Sequence, residues 1–207
     1  LTTVLTVILT IVLLAGAAAG FIFCRKYKPS KEQVDQNEWY QASGDEMALF
    51  LDSVLVEGVK GRYIDGQTYL QLDWIDEAVN EKFYWDEENR QLIYTLPDQI
   101  VYANEETMGS SGKPLVVQQD GQVWLLSSLV TAYTNVRIDT YDTDNVRRVF
   151  VDTSWEPQQL AAVKKKSALR IRGGVKSAMI TEVPSDSEVI VLEQLDNWSR
   201  VRTEDGQ

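Results

Sequence analysis

The sequence predicts a β-rich α+β chain: a single N-terminal transmembrane helix, two successive β-hairpin/helix/hairpin repeat units, and a short strand-rich tail. Three observations carry this reading. Residues 1–24 hold no charged side chain; apolar residues alternate on both sides of two Asp-Gly dipeptides, at 65–66 and 120–121; and residues 168–207 break into short apolar runs separated by Gly, Pro and Asp.

Residues 1–24 are built from Val, Leu, Ile, Thr, Ala, Gly and Phe and end at Cys24. About 20 helical residues cross a hydrocarbon core, so the stretch suffices as a span, with the lipid bilayer as its partner. A cleaved signal peptide is the alternative, with Ala17, Ala18 and Ala19 as small residues at a cut site. A buried soluble helix fits less well, because it would seldom run this far without a polar face. Arg25, Lys26, Lys28 and Lys31 follow the span, where the positive-inside rule favours the cytoplasm. The chain starts with Leu, and a trimmed basic leader would leave that comparison one-sided. Taken with the domain content below, the expectation is a single-pass bacterial membrane protein with its bulk extracytoplasmic.

Residues 25–44 read as a polar juxtamembrane stalk, opened by Pro29 and closed by Gly44. Residues 45–56 carry Met47, Leu49, Phe50, Leu51, Val54 and Leu55 at helical spacing, with Asp45 as N-cap, and predict a helix lying across a sheet. Tyr63 and Ile64 enter the Asp65-Gly66 turn, and Tyr69, Leu70 and Leu72 leave it, which signals a hairpin. A short helix follows over residues 73–81, using Trp74, Ile75, Ala78 and Val79. Phe83-Tyr84-Trp85 and Leu92-Ile93-Tyr94, joined by a polar turn, make a second hairpin.

A shift of 55 positions carries Asp65, Gly66, Gln67, Leu70, Ile75 and Asn80 onto Asp120, Gly121, Gln122, Leu125, Val130 and Asn135. Two units of one fold explain this, with residues 104–114 as connector and a slightly longer loop late in the second copy. Residues 45–156 therefore form a tandem unit, 157–167 a linker marked by Lys164, Lys165 and Lys166, and 168–207 a separate tail domain.

The net charge of −11 argues against a nucleic-acid partner, since phosphate backbones are repelled. There is no histidine, and Cys24 is the lone cysteine. That removes Ser-His-Asp and Cys-His nucleophiles, thiolate zinc sites and internal disulfides, leaving carboxylate chemistry.

The segment VKGRYIDGQTYLQLDWIDEAVNEKFYWDEENRQLIYT, residues 59–95, resembles the copper amine oxidase N-terminal-like module of bacterial envelope proteins. The shared pattern is a D/N-G turn, an apolar strand, a helix ending near Asn, then Trp85-Asp86 and a closing strand. The resemblance implies a non-catalytic module, and the chain has no histidine to bind copper, so no cofactor is expected. The tail, with Leu169-Arg170-Ile171, Val189-Ile190-Val191-Leu192-Glu193 and Trp198-Ser199, resembles a bacterial SH3 domain, a small β-barrel, whose closing strand would lie beyond Gln207. The module order, together with RGGVKSAMITEV and LEQLDNWSRVRTEDG, is similar to the front of membrane-anchored family-18 glycoside hydrolases. That resemblance implies a non-catalytic anchor and wall-binding region. The partner it implies is peptidoglycan or another wall glycan, and the catalytic barrel is expected outside these residues. A tethered protein-interaction module is the alternative.

Candidate sites are few. Residues 139–144 mimic the start of the family-18 D-x-x-D-x-D-x-E signature, but Val146 stands where the acid belongs, so no proton donor is present. A calcium loop fails because no glycine follows Asp144 at the required spacing. Asp86-Glu87-Glu88 and the pair Asp73 and Asp76 read as turn and helix-surface acids rather than an acid–base pair. Trp85, Trp124, Trp155 and Trp198 offer faces for sugar stacking, though core packing competes. Trp198, with Arg170 for an anionic wall polymer, is retained as the ligand-binding candidate, and Arg172 accompanies it.

Overall fold

The computed structural model describes residues 2–143 and 146–207. Strand outweighs helix, 41% against 20%, as a β-rich α+β chain requires. In chain order come α1 (Thr2–Tyr27), α2 (Gln36–Tyr40), β1 (Glu46–Leu51), β2 (Val54–Ile64), β3 (Gln67–Gln71), α3 (Leu72–Ala78), β4 (Phe83–Asp86), β5 (Gln91–Thr95) and β6 (Ile100–Ala103). Then follow β7 (Val116–Gln119), β8 (Gln122–Leu126), α4 (Ser127–Tyr133), β9 (Arg137–Tyr141) and β10 (Arg148–Asp152). The tail holds β11 (Gln159–Ala162), β12 (Ser167–Arg170), β13 (Met179–Val183), β14 (Glu188–Gln194) and β15 (Ser199–Thr203).

Among the described residues, α1 alone is long and apolar enough to cross a membrane, and a signal sequence would pass the same test. From Ile8 to Tyr27 its side chains are exposed rather than folded into the protein.

The central sheet runs β7-β8-β3-β2-β1-β10-β9 and curls into a half-barrel. Both Asp-Gly turns take left-handed backbone at each residue: φ is 51° and 82° at Asp65 and Gly66, and 55° and 74° at Asp120 and Gly121. This geometry suits the right-handed twist of tight hairpins. Each turn leads through a five-residue strand into a seven-residue helix. The two outgoing strands, β3 and β8, pair with each other within the sheet, Leu70 opposite Leu125.

One large core fills the half-barrel. Met47, Leu49, Leu70, Leu125 and Val149 meet Ile75 of α3, Val130 of α4, and Phe83, Leu92 and Tyr94 of the small sheet β4-β5-β6. A second cluster lies on the other face of β1, where Ala48 meets Tyr40, Ala42 and Val146, with Phe50 and Leu55 against it.

The expected helix over residues 45–56 is instead the β1 and β2 hairpin. Its apolar residues serve both faces of β1, Met47 and Leu49 on one side and Ala48 and Phe50 on the other, which gives a continuous apolar run rather than strict alternation. β1 also pairs in parallel with β10, Ala48 opposite Arg148. The linker region likewise contains structure, since β11 pairs with β14.

The stretch read as a stalk is held along the tail. Ser30 N donates to Val175 O at 2.7 Å, Val34 N to Met179 O at 2.9 Å, and Met179 N to Glu32 O at 2.8 Å. The tail in turn sits on the central sheet. Arg202 is 2% exposed and donates to Asp152 at 3.2 Å, while Arg137 reaches the same carboxylate at 2.7 Å. Oriented to receive these donors, the Gln158 amide oxygen accepts from Arg202 Nη2 at 3.0 Å. Arg148, fully buried, donates to Asp205 O at 2.9 Å. Between them Arg202 lies over the Phe150 ring at 4.6 Å, and Phe150 stacks on Phe50 at 4.4 Å.

Candidate functional site

A groove of about 1040 Å³ opens where three parts of the chain converge: residues 32–41, the bowed part of β2, and Ile171 and Ala178 of the tail. Each wall has a local cause. Asp35 Oδ1 accepts from the backbone N–H of Asn37 at 2.9 Å and of Glu38 at 3.3 Å, so the short helix α2 starts there. Gln41, at φ 50°, ends it in a left-handed residue. β2 bows because Ala48 pairs with Lys60 but Phe50 pairs with Leu55, and Gly58 at φ 77° takes the bend.

The groove combines an aromatic with carboxylates. Trp39, 43% exposed, lines the groove together with Leu55 and Val56 and the carboxylates Glu32, Asp35, Glu38 and Glu57. Lys60 Nζ donates to Tyr40 O at 2.8 Å, which fixes the floor. Burial raises the Tyr40 pKa, partly opposed by the neighbouring Arg148 guanidinium, so the phenol stays protonated. The same desolvation lowers the Arg148 pKa, with Tyr40 and Asp205 acting against it. An apolar ring face next to hydroxyl-accepting carboxylates suits a pyranose or an amino sugar, which presents a C–H face and hydrogen-bonding edges.

A second surface is flat. Across the outer face of the small sheet, Tyr84 pairs with Ile93 and Ile93 with Tyr102, and the two tyrosines are 64% and 56% exposed.

The residues singled out from sequence fall elsewhere. Trp85 and Trp124 are buried in the main core. Trp155 is exposed and donates its Nε1–H to Asn135 O at 2.7 Å. Trp198 rests against Gly173 and is 37% exposed. Arg170 is occupied within the protein, its guanidinium bonded to the carbonyls of Ser177 and Ser30. Arg172 is exposed beside it. Trp198 and Arg170 thus belong to the tail and lie outside the groove lining.

The carboxylate groups resolve into local roles. Asp86 accepts from Asn89 Nδ2 at 2.7 Å and from the backbone N–H of Asn89 and Glu88, bonds that lower its pKa, the Asn89 side chain most. Asp73 and Asp76 are exposed on α3. Of residues 139–144, Asp139 pairs with Arg137 and Asp142 with Arg147, Asp144 lies outside the described residues, and Val146 is buried.

Sequence reasoning did not single out Trp39, Tyr84 or Tyr102. For Trp39 the available signal was Asp35 followed by a short polar run with an aromatic pair, a capped turn rather than a stalk. For Tyr102 it was the short β-branched and aromatic run of residues 100–103, Ile-Val-Tyr-Ala. Comparison with protein-family models, with curated proteins and with solved structures returns no match.

Proposed function

We propose that this chain is the non-catalytic membrane anchor and cell-wall-binding, positioning region of an extracytoplasmic family-18-like glycoside hydrolase acting on amino-sugar polymers such as peptidoglycan or chitin. In this reading α1 is the anchor, and the hairpin/helix/hairpin segments either side of residues 104–114 are two copies of the copper amine oxidase N-terminal-like unit. The tail is the bacterial SH3-like domain. The observation that carries the binding role is the groove beside Trp39, whose ring and carboxylates match the two kinds of surface a pyranose chain presents. Glycan ring faces stack on Trp39, and hydroxyl or amino groups bond to Glu38 and Glu57. The test is retention of the full chain, held in neutral-lipid nanodiscs, on purified peptidoglycan. Wild type is expected to be retained, and Trp39→Ala to bind about tenfold more weakly, the loss of ~1.4 kcal/mol. Equal retention of both would remove the groove from the reading.

The row Tyr84, Ile93 and Tyr102 favours a second reading, a membrane-tethered module that docks partner proteins without an associated enzyme. Absence of retention on peptidoglycan by the wild-type chain supports that reading instead.

A further inference from the structure

The path from α1 into the tail leaves little room for a spacer. α1 ends at Tyr27, and the backbone N–H of Ser30 is already bonded to Val175 O at 2.7 Å. Tyr27 to Ser30 spans at most about 10–11 Å of extended chain. Lys176 closes the gap further, donating from Nζ to Arg25 O at 2.7 Å and Lys28 O at 2.6 Å. It supplies donors and positive charge at the carbonyl end of the helix, where both are unsatisfied. The loop between β12 and β13 is therefore fastened beside the end of α1.

This junction is cationic in an acidic protein. Arg25, Lys26, Lys28 and Lys31 are exposed on one side and Arg172 on the other, in a chain of net charge −11. None of these side chains has an acidic partner among the ion pairs of the described residues. Phe23 and Tyr27 pack with ring centroids 4.5 Å apart, tilted by 43°, at the end of α1, an aromatic pair of the kind that sits at a headgroup boundary.

We propose that Arg25, Lys26, Lys28, Lys31 and Arg172 form a folded collar that binds the anionic lipid headgroups of the bilayer that α1 enters, with Lys176 as the positioning residue that locks the tail loop into it. The inference rests on α1 as a membrane anchor and goes beyond it: the tail lies on the bilayer surface instead of standing clear of it. The charge complementarity acts at short range. Lys176 bonds directly to carbonyls at the helix end, and the Debye length at physiological salt is about 8 Å, so charge on the fastened loop acts on headgroups there with little screening. Each cation near an anionic surface is worth roughly a factor of five in affinity.

Trypsin reads this surface directly, because it cuts after the same residues. The full chain is placed in nanodiscs of phosphatidylcholine alone or mixed with phosphatidylglycerol, and cleavage after Lys31 and Arg172 is measured relative to the distant, exposed Lys82. In the anionic discs the collar sites are expected to be cut at least about fivefold more slowly than in neutral discs. That protection should vanish near 1 M salt, where the Debye length is about 3 Å. Arg172→Glu, a change at an exposed position, should return Lys31 cleavage in anionic discs most of the way to the neutral-disc rate. Equal ratios in the two lipids, or protection that survives high salt, would overturn the collar. Failure of the chain to enter neutral discs would instead refute α1 as an anchor, so the two ideas fail separately.

Discussion

At the scale of single residues, the attachment of the tail depends on positions that look ordinary. Asp152 is the shared acceptor for Arg137 and the buried Arg202. Removing it leaves a guanidinium at 2% exposure without its counter-charge, whereas removing both members leaves an apolar contact on Phe150. Asp152→Ala is expected to lower stability by about 3–5 kcal/mol in urea unfolding, and Asp152→Ala with Arg202→Met by much less. A single-variant loss below about 1 kcal/mol would show that the pair is exchangeable with water. Gly206 is the companion feature: at φ 74°, a Cβ there would come within 2.5 Å of Tyr141 Cγ. In the sequence Asp205-Gly206 reads as a terminal turn, which it is, but nothing local announces that Tyr141 lies against it.

At the scale of elements, the hairpins around Asp65-Gly66 and Asp120-Gly121 were legible because glycine at positive φ and alternating apolar residues are local signals. So were α3, the hairpin of β4 and β5, and four of the tail strands. The β1 and β2 hairpin was not. Its turn is Asp52-Ser53, with φ of 47° and 65° and no glycine, and its first strand is apolar on both faces. The Asp52 carboxylate holds this turn by accepting from the N–H and the hydroxyl of Thr153, each at 2.7 Å. Such a partner, far away in sequence, cannot be read from the turn itself. Ser53→Val, forced into left-handed backbone, is expected to cost about 1–2 kcal/mol, while Ser53→Gly is expected to be neutral or stabilising. Comparable melting temperatures for the two variants would contradict this account of the turn.

At the scale of the molecule, the class was legible and the assembly was not. Length, charge and the apolar start point to a β-rich chain behind a hydrophobic helix, since composition and periodicity report those directly. The parallel pairing of β1 with β10 and the seating of residues 32–36 along Met179 and Ile180 of β13 join segments far apart in the chain. Long-range pairing of this kind leaves no periodic trace. The groove beside Trp39 is a product of that assembly: one wall comes from the supposed stalk, one from a strand whose first residues, to Val56, were expected as helix, and one from the tail. A site built from three separate stretches has no motif to find.

Binding of an amino-sugar polymer in that groove is the central claim, and a hydrogen-exchange footprint tests it most directly. The full chain in neutral nanodiscs is exchanged with and without soluble peptidoglycan fragments. Slower exchange is expected at residues 34–41 and 55–60, with the Tyr84, Ile93 and Tyr102 strip unchanged. Unaltered exchange at both groove walls, or slowing confined to that strip, would contradict it.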